Sequence, residues 1–280
     1  MEAALVKKIN RYFHDEEARS FQGRHETRMK KELILYRDFF KNYFDRKNKP
    51  VRILDVGAGT GLVAKAISGY DCYFVCVDIS YEMLNAIRSD ANSKSETLFA
   101  VSDAEEMPFK RDSFDIITCN AAMHHFPSIS AFARELDRVL VAGGTLIIGF
   151  ESNRRFWTTK PLSFLYRMVS RISLNSNKVA IGYETICENV NERLIRENAI
   201  AEPLSKTDIL KHVDAHSPNA GEKIDYSKGF DVAELTNNIF QNYKARVVYH
   251  YEGTQAIVRL LNRLFFPKSA PQFSLILEKR

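Results

Sequence analysis

No apolar run in the chain approaches the roughly 18 residues that a membrane-spanning helix needs, so an integral membrane protein is not expected. Internal repeats and low-complexity tracts are missing too, which sets aside repeat architectures and compositionally disordered tails. Cysteines are few: Cys72, Cys76, Cys119 and Cys187. Their spacings fit no zinc pattern. Three of them lie in apolar, strand-like runs, where a cysteine acts as a small buried hydrophobe. The first twenty residues, MEAALVKKINRYFHDEEARS, are charged and amphipathic and lack the apolar centre of a secretory signal. A reducing, cytoplasmic setting is therefore expected.

What is present is ordinary for a globular protein. The 280 residues, 45% hydrophobic and 27% charged, suffice for one large domain or one domain with an insertion. The net charge of +5 and pI near 8.9 permit an anionic partner without demanding one. No basic tract with interleaved aromatics forms a nucleic-acid module, so no nucleic-acid partner is expected.

Met29, Leu33, Tyr36, Phe40 and Tyr43 recur at helical steps, and Lys47-Asn48-Lys49-Pro50 ends that pattern. Strand-like runs then alternate with helical ones. VRILDV from Val51, CYFVCVDI from Cys72, TLFAV from Thr97, FDIITC from Phe114 and TLIIGF from Thr145 read as strands. Leu62 to Ser68 reads as a helix. Ser80 is placed to cap a helix carrying Met83, Leu84 and Ile87, and Ser128 one carrying Ile129, Phe132, Leu136 and Val139. Gly143-Gly144 reads as a turn. Such alternation makes a parallel sheet, because parallel strands need crossovers and the crossover is usually a helix. It stops at Glu151 and resumes with ARVVYHY from Ala245, a helical stretch from Thr254 to Leu264, and FSLILEKR. The expected architecture is α/β, a doubly wound sheet of seven strands in the Rossmann manner. Residues 51–150 and 245–280 form its core, 1–50 a helical segment closing over it, and 151–244 a helical cap inserted after the fifth strand. A connection that long is expected to have a function.

The chemistry is concentrated in ILDVGAGTGL, from Ile53. A phosphate-binding P-loop needs Lys-Ser or Lys-Thr after its glycines, and none follows. A dinucleotide turn needs G-x-G-x-x-G, but Gly57, Gly59 and Gly61 put the third glycine one residue early. Asp55, just before the turn, would repel a pyrophosphate and attract an amine. Asp78 lies 21 residues after Gly57, the spacing at which a carboxylate takes both hydroxyls of a ribose. The residues suit a nucleoside without phosphates and with an amino-bearing or cationic tail.

Taken in order, ILDVGAGTG, VDIS, SDAEEMPF and FDIITCNAAMHHF resemble the motifs of class I S-adenosylmethionine-dependent methyltransferases. The resemblance is nearest to the broad methyltransferase type 11 group that includes the ubiquinone/menaquinone and natural-product enzymes. It implies S-adenosylmethionine as the cofactor. Gly57, Ala58, Gly59 and Gly61 would bring the backbone close to it, and Asp55 would hold its amino group. Asp78 would take the ribose hydroxyls, with Ile79 and Met83 near the adenine. Asp103 and Ala104 would meet the adenine edge, and Asn120 would stand where the cofactor tail and the acceptor meet.

The acceptor side is less legible. His124 and His125 follow the fourth strand, where an acceptor would lie, and are candidates for a general base. HVDAH places His212, Asp214 and His216 at alternate positions. A strand would put all three on one face, a helix only the two histidines; His216 is a further candidate base, and no metal is assigned. The run Asn120-Ala121-Ala122-Met123 replaces the Asn/Asp-Pro-Pro-Tyr/Phe common to methyltransferases of base amines and glutamine. The expected activity is methyl transfer to a small-molecule acceptor such as a sugar, natural-product or lipid-linked intermediate. RRFWTTKPLSFLYRMVSR from Arg154 and RLLNRLFFPK from Arg259 mix arginines with aromatics, so a lipid or quinone acceptor at a membrane surface is an alternative. A non-catalytic relative that binds the cofactor is another. A nicotinamide-dependent reductase is disfavoured, because its Tyr-x-x-x-Lys pair occurs only at Tyr43 and Lys47, before the first strand.

Overall fold

A computed structural model describes residues 3–45, 50–90, 96–162, 164, 183–216, 228–251, 256–266 and 268–280. Seven strands form one sheet: β1 (Val51–Val56), β2 (Cys72–Asp78), β3 (Glu96–Val101), β4 (Phe114–Asn120), β5 (Leu140–Ser152), β6 (Tyr243–His250) and β7 (Gln272–Lys279). Their order is β3-β2-β1-β4-β5-β7-β6. The first five run parallel, and β7 is antiparallel to both β5 and β6. The central strands are nearly continuous apolar runs because helices cover both faces of the sheet. Ile53, Leu54, Val56, Ile116 and Ile117 are wholly buried. The order reverses between β1 and β4, which opens a crevice at their carboxyl ends.

The helices α2 (Leu62–Ala66), α3 (Tyr81–Asp90) and α4 (Ile129–Val139) are the crossovers. Both expected caps form. Ser80 Oγ accepts from the Met83 N–H at 3.1 Å and Ser128 Oγ from that of Ala131 at 3.2 Å, each worth about 1 kcal/mol. All four cysteines are buried free thiols.

Gly143-Gly144 is not a chain reversal. Pairing passes from Phe114↔Leu140 directly to Ile116↔Thr145, so the extra residues of β5 bulge within a continuous strand that begins at Leu140. Gly143 sits at φ 70°, the left-handed backbone a bulge accommodates best as glycine.

The N-terminal segment is a single helix, α1 (Ala3–Phe44). Its C-terminal half buries Tyr36 and Phe40 against Val51, Ile53, Leu62 and Val63. Its N-terminal half buries Ile9, Tyr12 and Phe13 against α6 (Tyr183–Arg196) and α7 (Lys206–Val213), through Ile186, Val190, Leu194, Ile209 and Val213. One helix thus ties the sheet to the segment between β5 and β6. That segment also contains α5 (Arg154–Thr158). In the arginine- and aromatic-rich stretch from Arg154, Phe156 and Trp157 pack with Leu162 at 0% and 5% exposure, while Phe164 is 64% exposed. Leu165, Tyr166 and Met168 lie outside the described residues, as does the side chain of Phe21. Phe230, Leu235 and Phe240, further along, belong to the main core beside β4 and β5. The last helix, α8, spans Ala256–Phe265. Among the described residues no helix is long and apolar enough to cross a membrane.

Candidate active site

A cavity of about 380 Å³ opens along the carboxyl ends of β1 to β5, within the size range of small-ligand sites. Asp55, Gly57, Ala58, Gly59, Asp78, Ile79, Met83, Asp103, Ala104 and Asn120 all line it, as do His124 and His125. Gly61, His212 and His216 do not.

The three glycines differ in what they leave room for. A Cβ on Gly57 would stand 2.6 Å from the Ala122 Cβ, so its bareness lets the loop after β4 approach β1. A Cβ on Gly59 would meet nothing within 4 Å. Only at Gly59, among the three, is the missing side chain replaced by open cavity. Gly61 faces Ile87 of α3, 3.0 Å from where its Cβ would be, and shapes the turn from outside the cavity.

Asp78 has both oxygens tied to the turn. Oδ2 accepts from the Gly59 N–H and Oδ1 from the Ser80 N–H, each at 2.9 Å. Burial raises its pKa against these two bonds. Asp55 is 2% exposed and accepts from the Thr118 hydroxyl at 2.7 Å. Burial pushes its carboxyl up to about 7, only partly offset by Thr118. At the far end Asp103 accepts from the Glu105 N–H at 2.9 Å and pairs with Lys7 at 2.6 Å. Asn120 donates to Glu32 at 2.7 Å. Its Oδ1 and the Tyr36 hydroxyl are buried without a hydrogen-bond partner. A Cβ on Gly149 would lie 2.4 Å from both of those atoms, so the bare glycine lets them stand against β5.

At the other end His124 Nδ1 lies 2.9 Å from Oε2 of Glu151, a wholly buried carboxylate on β5 whose Oε1 accepts from the Met123 N–H at 2.9 Å. A carboxylate can only accept, so His124 carries a proton on Nδ1 and donates it to Glu151. His125 Nδ1 lies 2.7 Å from the Val213 carbonyl. Asp214 closes this end, 3.6 Å from His124 Nε2 and 3.4 Å from His125 Nδ1.

The spacing expectation for HVDAH is corrected here. Helix α7 stops at Val213 and the chain turns through Asp214, so the three residues share neither a strand nor a helix face. Asp214 joins the histidines after β4. His212 offers its carbonyl to Asn10, the His216 ring packs beside Phe230, and the His216 backbone N–H donates to the His124 carbonyl. His216 therefore does not reach the cavity as a base.

Helix α1 supplies side chains that motif reading overlooks: Lys7, Asn10, His14, Glu17, Met29 and Glu32 line the cavity. Lys7, Asn10, His14 and Glu17 fall at steps of three, four and three. A polar stripe at helical spacing, on a helix that buries Ile9 and Phe13, was the available signal. His14 stands 3.1 Å from Glu17 and edge-on to His125, with ring centroids 4.8 Å apart. Burial lowers its pKa, but the bond to Glu17 together with the charges of Glu17, Asp78 and Asp214 outweighs that and the net shift is upward.

A seven-stranded sheet with this order, a glycine turn after β1 and a carboxylate closing β2 is the Rossmann-like architecture that the motif resemblance implies. Residues 54–148 match the family model described as a methyltransferase domain, and over them the chain is a class I S-adenosylmethionine-dependent methyltransferase domain, whose cofactor is S-adenosylmethionine. The chain is 41% identical over 99 residues to the uncharacterized methyltransferase YcgJ of Bacillus subtilis, covering 35% of this chain and 39% of that one. It is 38% identical over 109 residues to the ubiquinone/menaquinone biosynthesis C-methyltransferase UbiE of Rhizobium leguminosarum, covering 37% and 42%. The matches thus span less than half the length of these relatives. Among solved structures, the CMeT domain of the citrinin polyketide synthase resembles it with a TM-score of 0.51 at 16% identity, covering 88% of this chain and 52% of that one; that likeness concerns the fold alone.

Proposed function

We propose that this protein transfers a methyl group from S-adenosylmethionine to a small-molecule acceptor bound beside His124 and His125. The observation that carries the reading is one continuous cavity whose wall runs from Asp78 and Asp103, past Asp55 and Asn120, to His124 and Asp214. When bound, the cofactor supplies a methyl group already activated on a sulfonium sulfur.

The chain's own residues then have three tasks. The first is to hold the cofactor. Asp78 accepts from the ribose hydroxyls while its bonds to the Gly59 and Ser80 N–H groups keep the carboxylate fixed. Gly59 leaves the room its bare Cα provides. Asp55, which a bound cationic tail holds in its ionised form, and Glu32 behind Asn120 suit the amino group. Ile79, Met83 and Ala104 pack the adenine side, where Asp103 accepts from its amine. The second task is to exclude water and fix the acceptor in line, which carries much of the rate for a reactant that is already activated. Helix α1 and Tyr183, Leu210 and Val213 from the segment after β5 form that wall. The third is to handle the acceptor's proton. Glu151 sets the His124 tautomer that accepts through Nε2.

The reading is tested by following labelled methyl transfer over a metabolite extract, with His124→Ala beside the unaltered chain. Turnover of a hydroxyl acceptor falls roughly 10²- to 10⁴-fold while cofactor affinity holds. Absence of incorporation by the unaltered chain would instead leave a cofactor-binding protein without transferase activity.

A lipid-linked acceptor is favoured by one observation. On α8 Leu260, Leu264 and Phe265 are 58%, 65% and 68% exposed, beside Arg259 and Arg263. Co-sedimentation with anionic but not neutral vesicles, lost in Leu264→Asp, is the expected behaviour of such a helix.

A further inference from the structure

The loop after β4 and the end of α7, far apart in sequence, bring a ring nitrogen of His124, a ring nitrogen of His125 and a carboxylate oxygen of Asp214 within 4.8 Å of one another. At metal–ligand distances of about 2.0–2.1 Å, two tetrahedral ligands of one zinc-class ion stand about 3.3 Å apart. His124 Nε2 and Asp214 Oδ1 are 3.6 Å apart, so a shift of a few tenths of an ångström meets that geometry.

The outer surroundings point the same way. A ligating histidine usually donates its second ring N–H to a carboxylate or a backbone carbonyl, which fixes its tautomer and orientation. His124 has Glu151 in that position and His125 has the Val213 carbonyl. His124 thereby turns Nε2 toward Asp214, whereas the His125 nitrogen nearest Asp214 is Nδ1, at 3.4 Å, which binds an ion by giving up the Val213 carbonyl. A further imidazole stands beside them, because His14 packs against His125 and its Nε2 is buried with no hydrogen-bond partner. Glu151 and Asp214 bring two carboxyl groups to this pair of histidines, which suits a cation.

We propose that His124, His125 and Asp214 bind one divalent transition-metal ion of the zinc class, with a remaining coordination position open to the cavity. Two imidazoles and a carboxylate select zinc-like ions over magnesium or calcium, which prefer all-oxygen shells. Three protein ligands with an open position is the composition of catalytic rather than structural sites. The ion would join the sheet to the segment after β5, since Asp214 belongs to the latter. Binding stands on this geometry alone. Its consequence for turnover rests on the methyltransferase reading: the acceptor's oxygen or nitrogen fills the open position and sheds its proton to solvent more readily, and His124 is a ligand instead of the proton acceptor.

The full chain, stripped of metal with a chelator, is titrated with Co²⁺ and followed by its visible absorption, with S-adenosylhomocysteine binding measured on the same samples. One equivalent of Co²⁺ is expected to give ligand-field bands and to raise the melting temperature. Asp214→Asn is expected to lose both effects, and Glu151→Gln to weaken binding roughly 10- to 100-fold by releasing His124. His212→Ala, outside the cavity, is expected to titrate like the unaltered chain. Retained S-adenosylhomocysteine binding shows that each variant is folded. Absence of bands at one equivalent, or an Asp214→Asn titration identical to the unaltered chain, overturns the site. With S-adenosylhomocysteine still bound, that result removes the metal and leaves the methyltransferase reading standing.

Discussion

Individual carboxylates carry the cofactor side of the account. Asp78 has little freedom, because two backbone N–H groups hold its oxygens. Replacing it by alanine removes charge-assisted bonds worth about 1.5–3 kcal/mol, so S-adenosylhomocysteine affinity falls roughly 10- to 150-fold by calorimetry. Asp55 makes a pH prediction. Its pKa in the fold is about 7, against an ordinary carboxylate value near 4, so the folded chain favours the protonated form. Any stability this gives is full below about pH 4 and is lost as pH rises toward 7. A cationic ligand tail demands the ionised form. Cofactor affinity should therefore tighten between pH 5.5 and 7 with proton release, and Asp55→Asn should flatten that profile. Calorimetry in two buffers of different ionisation enthalpy measures both.

Among the elements, the turn after β1 separates packing from function. Gly57→Ala puts a Cβ against Ala122 at a positive φ and should cost roughly 2–4 kcal/mol in thermal unfolding. Gly59→Ala meets open cavity, so it should cost about 1 kcal/mol and act mainly on cofactor affinity. Elements whose signal is local were legible. β1 to β4 read as apolar runs, and the Ser80 and Ser128 caps read from one polar residue before a helical pattern. The Gly143-Gly144 bulge was not, because a glycine pair fits a turn or a bulge and only the partner strand decides. In the site, Asp55, Asp78 and Asn120 were legible as ends of adjacent parallel strands. Glu151 was not, because its pairing with His124 spans 27 residues and depends on the register of β5 against β4. The union of Asp214 with His124 and His125 needed the path of α7 across the cavity, which no local spacing encodes.

For the whole molecule, the segment between β5 and β6 is less separable than an insertion suggests. Phe230, Leu235 and Phe240 belong to the main core, and α6 and α7 share a core with α1. Removing 156–243 would strip both, so the truncated chain should lose its cooperative thermal transition as well as turnover. A stably folded remainder that still binds S-adenosylhomocysteine would mean the segment is a dispensable cap. The most direct test of the central claim is calorimetric titration of the full chain with S-adenosylhomocysteine, and separately with NADH. The account predicts one S-adenosylhomocysteine site per chain, abolished or strongly weakened in Asp78→Ala, and no heat from NADH. No binding of S-adenosylhomocysteine, or NADH bound in its place, would contradict it.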